Sequence, residues 1–232
     1  MGRPLTVSAV DARIEKNSSE RACRRRDVAV ACNRECWPVS SETQSQPRFS
    51  IADHDAPVAS EEFAQAIFEE PWRYELVNGK LVVMSPTGDE HVEITEPFRD
   101  ALVAYKLALP QRVARVVSDA WIRINQTTQR IADLAVYLSN PRTKLKIPLR
   151  IPELIFEVVS GGGEDRKRDY VDKRAEYLRI GVKEYVIVDR FERRVTVLRR
   201  SRGRFVESHL GPGDVYTSPL LPGLKIPLKG II

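Results

Sequence analysis

The chain has no apolar run approaching the roughly 20 residues that a membrane-crossing helix requires. Its first residues carry Arg, Asp and Ser where a secretory leader would be continuously apolar. We therefore expect no membrane partner and a cytoplasmic location. Cysteine is absent beyond Cys36, and with Cys23, Cys32 and Cys36 crowded near the start, a disulfide framework is not expected. Those three with His54 could formally supply four zinc ligands, but they lack the paired-cysteine knuckles of structural zinc sites. No strong charge of one sign is present either. Lys plus Arg outnumber Asp plus Glu by 37 to 32, an excess that permits a polyanionic partner without demanding one.

What is present is a chain of 232 residues, 42% hydrophobic and 30% charged, enough for one globular domain and a tail. Residues 1–58 hold no sustained apolar period and read as a disordered or loosely attached extension. From 59 to 232 the pattern is that of an α/β domain. A short helix over Ser60–Phe68, capped by Ser60, would place Phe63 and Ile67 on one face. Asn78-Gly79 between two apolar strands predicts a tight hairpin. Ile94, Phe98, Leu102, Tyr105 and Leu109 make the stripe of an amphipathic helix, with Pro97 placing its start near Thr95 or kinking it. Strands are expected over Arg112–Val117, Ala120–Ile124 and Ile131–Leu138, then around Glu157. Next come a helix burying Val171, Ala175 and Leu178 up to Gly181, a hairpin of Glu184–Val188 with Val195–Arg199, and a strand over Phe205–Leu210. A mixed sheet flanked by helices is the simplest assembly.

Asp133 and Glu157 stand out because each interrupts a strand that is apolar on both alternating faces. A buried, unpaired carboxylate raises its pKa or finds a cation, and two on neighbouring strands suggest a shared metal ion. With no nucleophilic Ser or Cys motif, the pair points to metal-assisted hydrolysis, as phosphodiester cleavage requires. Either acid alone could equally form an ion pair with one of the many arginines. Lys173, four residues after Asp169, reads in isolation as half of a solvent-facing pair; Glu75 could be exposed, and His91 could be a polar cap. Basic clusters occur at Arg142, Lys144, Lys146 and Arg150, and at Arg166, Lys167 and Arg168.

Six segments occur in order: Tyr74 to Leu81, Ala132 to Val136, Glu157 to Ser160, Asp169 through Lys173 to Tyr177, Gly181 to Asp189, and Ser218 to Leu224. Together they resemble the Uma-two family of restriction endonucleases, a branch of the PD-(D/E)XK nuclease superfamily. The resemblance implies a restriction-endonuclease-like mixed sheet flanked by helices and a metal-dependent endonuclease acting on DNA. It makes Asp133 and Glu157 ligands of Mg²⁺ (or Mn²⁺), with the Val158 carbonyl assisting. Val159 stands where the superfamily's usual lysine follows the acid, so the resemblance assigns that part to Lys173, which would orient the attacking water. Glu75 would be a more distant acid. A homodimer is expected because one site cuts one strand. The rival reading is a degenerate, non-catalytic nucleic-acid-binding module of the same fold.

Overall fold

In the computed structural model, which describes residues 45–140, 150–161 and 163–232, the chain enters the fold at strand β1 (Arg48–Phe49). Cys23, Cys32, Cys36, Arg142, Lys144 and Lys146 lie outside the described residues, as does most of the expected extension. The described residues all belong to one compact unit. After a 3₁₀ turn over Ile51–Asp53, the backbone of Asp55 donates to the Leu81 carbonyl and that of Val58 to the Gly79 carbonyl, both at 2.8 Å. Phe49, Ala56 and Val58 join a small apolar cluster with Phe63, Leu76 and Leu81. Residues 45–58, grouped by composition with the extension, thus belong to the folded unit.

Helix α1 (Ser60–Gln65) is shorter than expected. Its N-cap is Ala59, while the Ser60 hydroxyl accepts hydrogen bonds from Arg123 and Gln129 instead. Ile67 falls in strand β2 (Ile67–Phe68), which pairs in parallel with β1. Extending the chain there lets Phe68 pack on Phe63 and Tyr74, at ring separations of 5.0 and 4.8 Å. The hairpin of β3 (Arg73–Val77) and β4 (Lys80–Met84) is as predicted, with positive φ at both Asn78 and Gly79.

Helix α2 (Asp89–Ala108) starts six residues before Thr95 and contains Pro97. Asp89 and Glu90 suit the positive helix start, and the Thr95 hydroxyl donates to the His91 carbonyl. Pro97 removes the bond to the Glu93 carbonyl, but Glu93 is exposed and water can replace it. The two strands expected before and after Ser118-Asp119 are one, β5 (Arg115–Arg123), because Asp119 takes a left-handed conformation (φ 48°) without ending the strand. It is followed by β6 (Gln129–Tyr137) and β7 (Leu154–Val158).

Next, α3 (Gly163–Lys167), a π-helical stretch (Arg168–Lys173) and α4 (Arg174–Ile180) follow one another without leaving helical backbone, until Gly181 at φ 101° closes them. β8 (Glu184–Asp189), β9 (Arg194–Ser201) and β10 (Arg204–Leu210) match expectation. A last hairpin, β11 (Val215–Ser218) with β12 (Leu221–Pro227), was not anticipated, since Pro219, Pro222 and Gly223 interrupt its apolar alternation.

The sheet order is β10-β9-β8-β7-β6-β3-β4, with β5 on the other edge of β6. Only β7 and β8 run parallel within it, so the sheet is mixed. Because β5 pairs along β6, β7 and β3 must share the opposite edge: β7 meets Leu134–Val136 and β3 meets Gln129. The edge between them, Ile131 to Asp133, faces a fork. No strand pairs with it there among the described residues, and its polar groups need other partners.

Candidate active site

Side chains fill the fork. The Ile131 N–H donates to Glu75 Oε1 at 2.8 Å, and the Asp133 N–H to Glu157 Oε2 at 3.4 Å. The Ile131 carbonyl accepts from Lys173 Nζ at 3.0 Å. At the end of β7 the Val158 N–H donates to Asp133 Oδ2 at 2.8 Å, so Asp133 and Glu157 each cap the other's strand. Lys173 Nζ lies 3.0 Å from Glu157 Oε1 and 3.7 Å from Glu75 Oε1. The structure thereby brings together all four residues singled out by the sequence.

Two expectations about the helix are corrected. Lys173 is not on a solvent face: its side chain is only 4% accessible, and Asp169, 3.7 Å away, is buried with it. Val171 and Ala175, expected inside, are exposed. The inward stripe is Asp169, Lys173 and Tyr177, because the sheet surface beneath it carries acids and rewards a cation and donors rather than apolar side chains. Glu75 is fully buried.

The electrostatics follow from crowding. Burial alone would raise the Asp133 carboxyl, but the His91, Lys173 and Arg73 charges outweigh it and hold Asp133 well below the usual carboxylate range. Glu75 is likewise lowered, burial being outweighed by Lys173 and Arg130. Glu157 goes the other way: burial, with Asp133 and Asp169 close by, pushes it up to about 8 against the pull of Lys173. Lys173 is raised, the cost of burial overcome by Glu157, Glu75 and Asp169.

Sequence reasoning missed the surrounding groups. Tyr177 donates to Glu157 Oε1 at 2.7 Å. Arg130 donates to both oxygens of Glu176 and to Glu75, holding the first acid and the helix together. Arg73 Nη2 bridges Asp119 (2.8 Å) and Asp133 (3.3 Å), while His91 Nε2 lies 3.3 Å from Asp133 Oδ1. His91 is therefore neither a plain cap nor a surface residue. The only signal for Arg73 and His91 was their position near Glu75 and at a helix start. Of the basic cluster after β7, Arg166 pairs with Asp189 and Arg168 with Asp165, leaving Lys167 exposed.

Among the described residues no group of three or more His, Cys, Asp or Glu side chains is arranged around a metal position. Asp133 and Glu157 remain as two carboxylates whose donor chemistry fits a hard cation: Asp133 is ionised, and Glu157 is destabilised as an anion by the acids around it. Asp169 Oδ2, buried and without a hydrogen-bond partner among the described residues, adds to that negative surplus. A cavity of about 740 Å³ beside Ser60, Arg123 and Ile180 shares none of these residues.

A family model described as "Putative restriction endonuclease", Uma2, matches residues 60–229. The chain belongs to the Uma2 family. A comparison with curated proteins finds no match. Among solved structures, this Uma2 chain is similar to a "putative nuclease belonging to DUF820" from Anabaena variabilis, at 17% identity and a TM-score of 0.63. The match covers 75% of this chain and 97% of the other, and it shows that the two proteins share a fold. No helix of the described residues is long and apolar enough to cross a membrane.

Proposed function

We propose that this Uma2 protein is an endonuclease that hydrolyses phosphodiester bonds of DNA with Mg²⁺, or with Mn²⁺ in its place, and works as a homodimer. The observation that carries the reading is the fork itself: Asp133, Glu157, Glu75 and Lys173 meet at an unpaired stretch of β6. Asp133 and Glu157 would hold the cation, which when bound polarises the phosphate and makes a water acidic enough to attack. Lys173, fixed by Glu157 and the Ile131 carbonyl, supplies a positive charge that requires no reorganisation as negative charge develops. Arg73, 3.3 Å from Asp133 Oδ1, would attract the phosphate, and His91 lies at the same distance from that oxygen. Tyr177 and Arg130 keep Glu157 and Glu75 in place.

One observation favours the rival reading of a non-catalytic binder: Asp133 Oδ1 is already engaged by Arg73 and His91. Incubating the protein with plasmid, linear and single-stranded DNA in Mg²⁺, Mn²⁺ or EDTA separates the two. Cleavage is expected with either ion, none in EDTA, and a loss of about 100-fold or more in Asp133→Asn. Salt-sensitive binding with no turnover in any metal would establish the binder instead.

A further inference from the structure

Another cavity, of about 250 Å³, is lined by Ile131 of the fork and by Arg73, which contacts Asp133, and four of its nine lining residues are aromatic: Phe68, Trp72, Tyr74 and Trp121. The rings are braced against one another. Phe68 stacks on Tyr74 at 4.8 Å, and Trp121 packs on Phe63 at 5.2 Å and edge-on to Phe68 at 5.9 Å. Trp121 nevertheless keeps 37% of its surface accessible. Two polar groups complete the lining. Asp119 is 65% accessible, and Arg73 carries a buried Nε that has no hydrogen-bond partner among the described residues. Asp119 reaches this position from within β5 through its left-handed backbone, a conformation commonly associated with functional sites.

Flat π-surfaces with a donor and an acceptor at the edge match a nucleobase, which offers a face for stacking and exocyclic groups for hydrogen bonds. The same Arg73 guanidinium that lines the cavity touches Asp133, so a base in the cavity would place its own backbone phosphate close to the acids. A base paired in a duplex cannot present its faces this way. We propose that this cavity receives an unpaired nucleobase next to the phosphodiester to be cut, making single strands or locally unpaired DNA the preferred substrate. The proposal rests on the nuclease reading only for the cutting; the binding stands apart.

The test uses the full chain in EDTA, with fluorescence anisotropy of one short oligonucleotide as a single strand and as a duplex. Trp121→Ala should lower the preference for the single strand over the duplex about 10-fold, while Trp121→Phe, which retains a stacking ring, should restore most of it. Thr87→Trp changes an exposed residue at the rim and should block the mouth with a similar loss, so the question is decided even if Trp121→Ala does not fold. An unchanged single-strand to duplex ratio in Thr87→Trp, and in Trp121→Ala where that variant folds, would overturn the proposal. Equal weakening on both DNAs would overturn it as well. If the ratio shifts but no metal gives cleavage, the nuclease reading fails and the base pocket stands. If Mg²⁺ gives cleavage and the ratio stays fixed, the pocket fails and the nuclease reading stands.

Discussion

The two faces of the central sheet are built from alternate residues of the same strands, yet they hold together by different means. Under α2, Leu134, Val136, Leu154, Phe156 and Val186 meet Ile94, Phe98 and Leu102 in a layer of apolar contacts. On the other face Asp133 and Glu157 share strands with Ala135, Tyr137 and Ile155, and the overlying helix answers with Lys173 and Tyr177. Apolar contacts are non-directional, so each side chain contributes nearly on its own account. The charged face is mutual: each group is tolerable only because a named partner is present.

The largest effects should expose that difference. Lys173→Met leaves Glu157 and Glu75 without their ammonium and should cost about 3–5 kcal/mol in urea unfolding. Adding Glu157→Gln should then return a substantial part of the loss when unfolding is followed above about pH 8, where the Glu157 carboxyl no longer keeps its proton without cost. Phe98→Ala on the apolar face should also cost about 3–5 kcal/mol, through a cavity. Combined there with Leu154→Ala, the losses should accumulate rather than compensate. A charged-face double variant as unstable as the sum of its singles would erase the contrast.

A subtler difference lies in pH. Glu157 has a folded value of about 8 against an ordinary 4.5, so the folded state binds its proton more tightly. That contribution to stability is fully present below the ordinary value and lost as pH rises through about 8. In EDTA, thermal melts of the wild type should fall between pH 6 and 9 more than those of Glu157→Gln, and Mg²⁺ should narrow the gap, all on the order of a few degrees. Identical slopes in the two proteins would remove Glu157 as the titrating group. The smallest effect concerns the entry segment, whose residues 49–58 pack on the β3–β4 end of the sheet. Deleting residues 1–44 should leave the melting temperature within about 1 °C, whereas deleting 1–58 removes Phe49, Ala56 and Val58 and should cost about 2–4 °C or more. Equal melts for the two truncations would show that the β1–β2 attachment contributes nothing.

Much of this was legible in the residues. Asp133 and Glu157 were conspicuous because an acid in a two-faced apolar strand has no solvent to turn to, and Asn78-Gly79 announced its turn through backbone geometry alone. The helix carrying Lys173 was read upside down. Periodicity assigns polar residues to water, and that rule fails where the surface being covered is itself charged; Val171 is outside for the same reason that Lys173 is inside. Asp119 looked like a break between strands because an aspartate with a left-handed backbone resembles a turn until its flanking residues are seen to stay in register with β6. The links of Arg73 and His91 to Asp133 span 60 and 42 positions, and no local pattern could announce them.

The fork gives the protein a set of spectroscopic probes. The amide protons of Ile131, Asp133 and Val158 point at carboxylate oxygens of Glu75, Glu157 and Asp133 rather than at a neighbouring strand. An amide proton's resonance frequency responds to the charge on the oxygen it faces, so these three signals should move together, and apart from the rest of the β-sheet spectrum, whenever a proton or an ion enters the site. An isotope-labelled sample would therefore report site occupancy directly, with no substrate and no turnover needed.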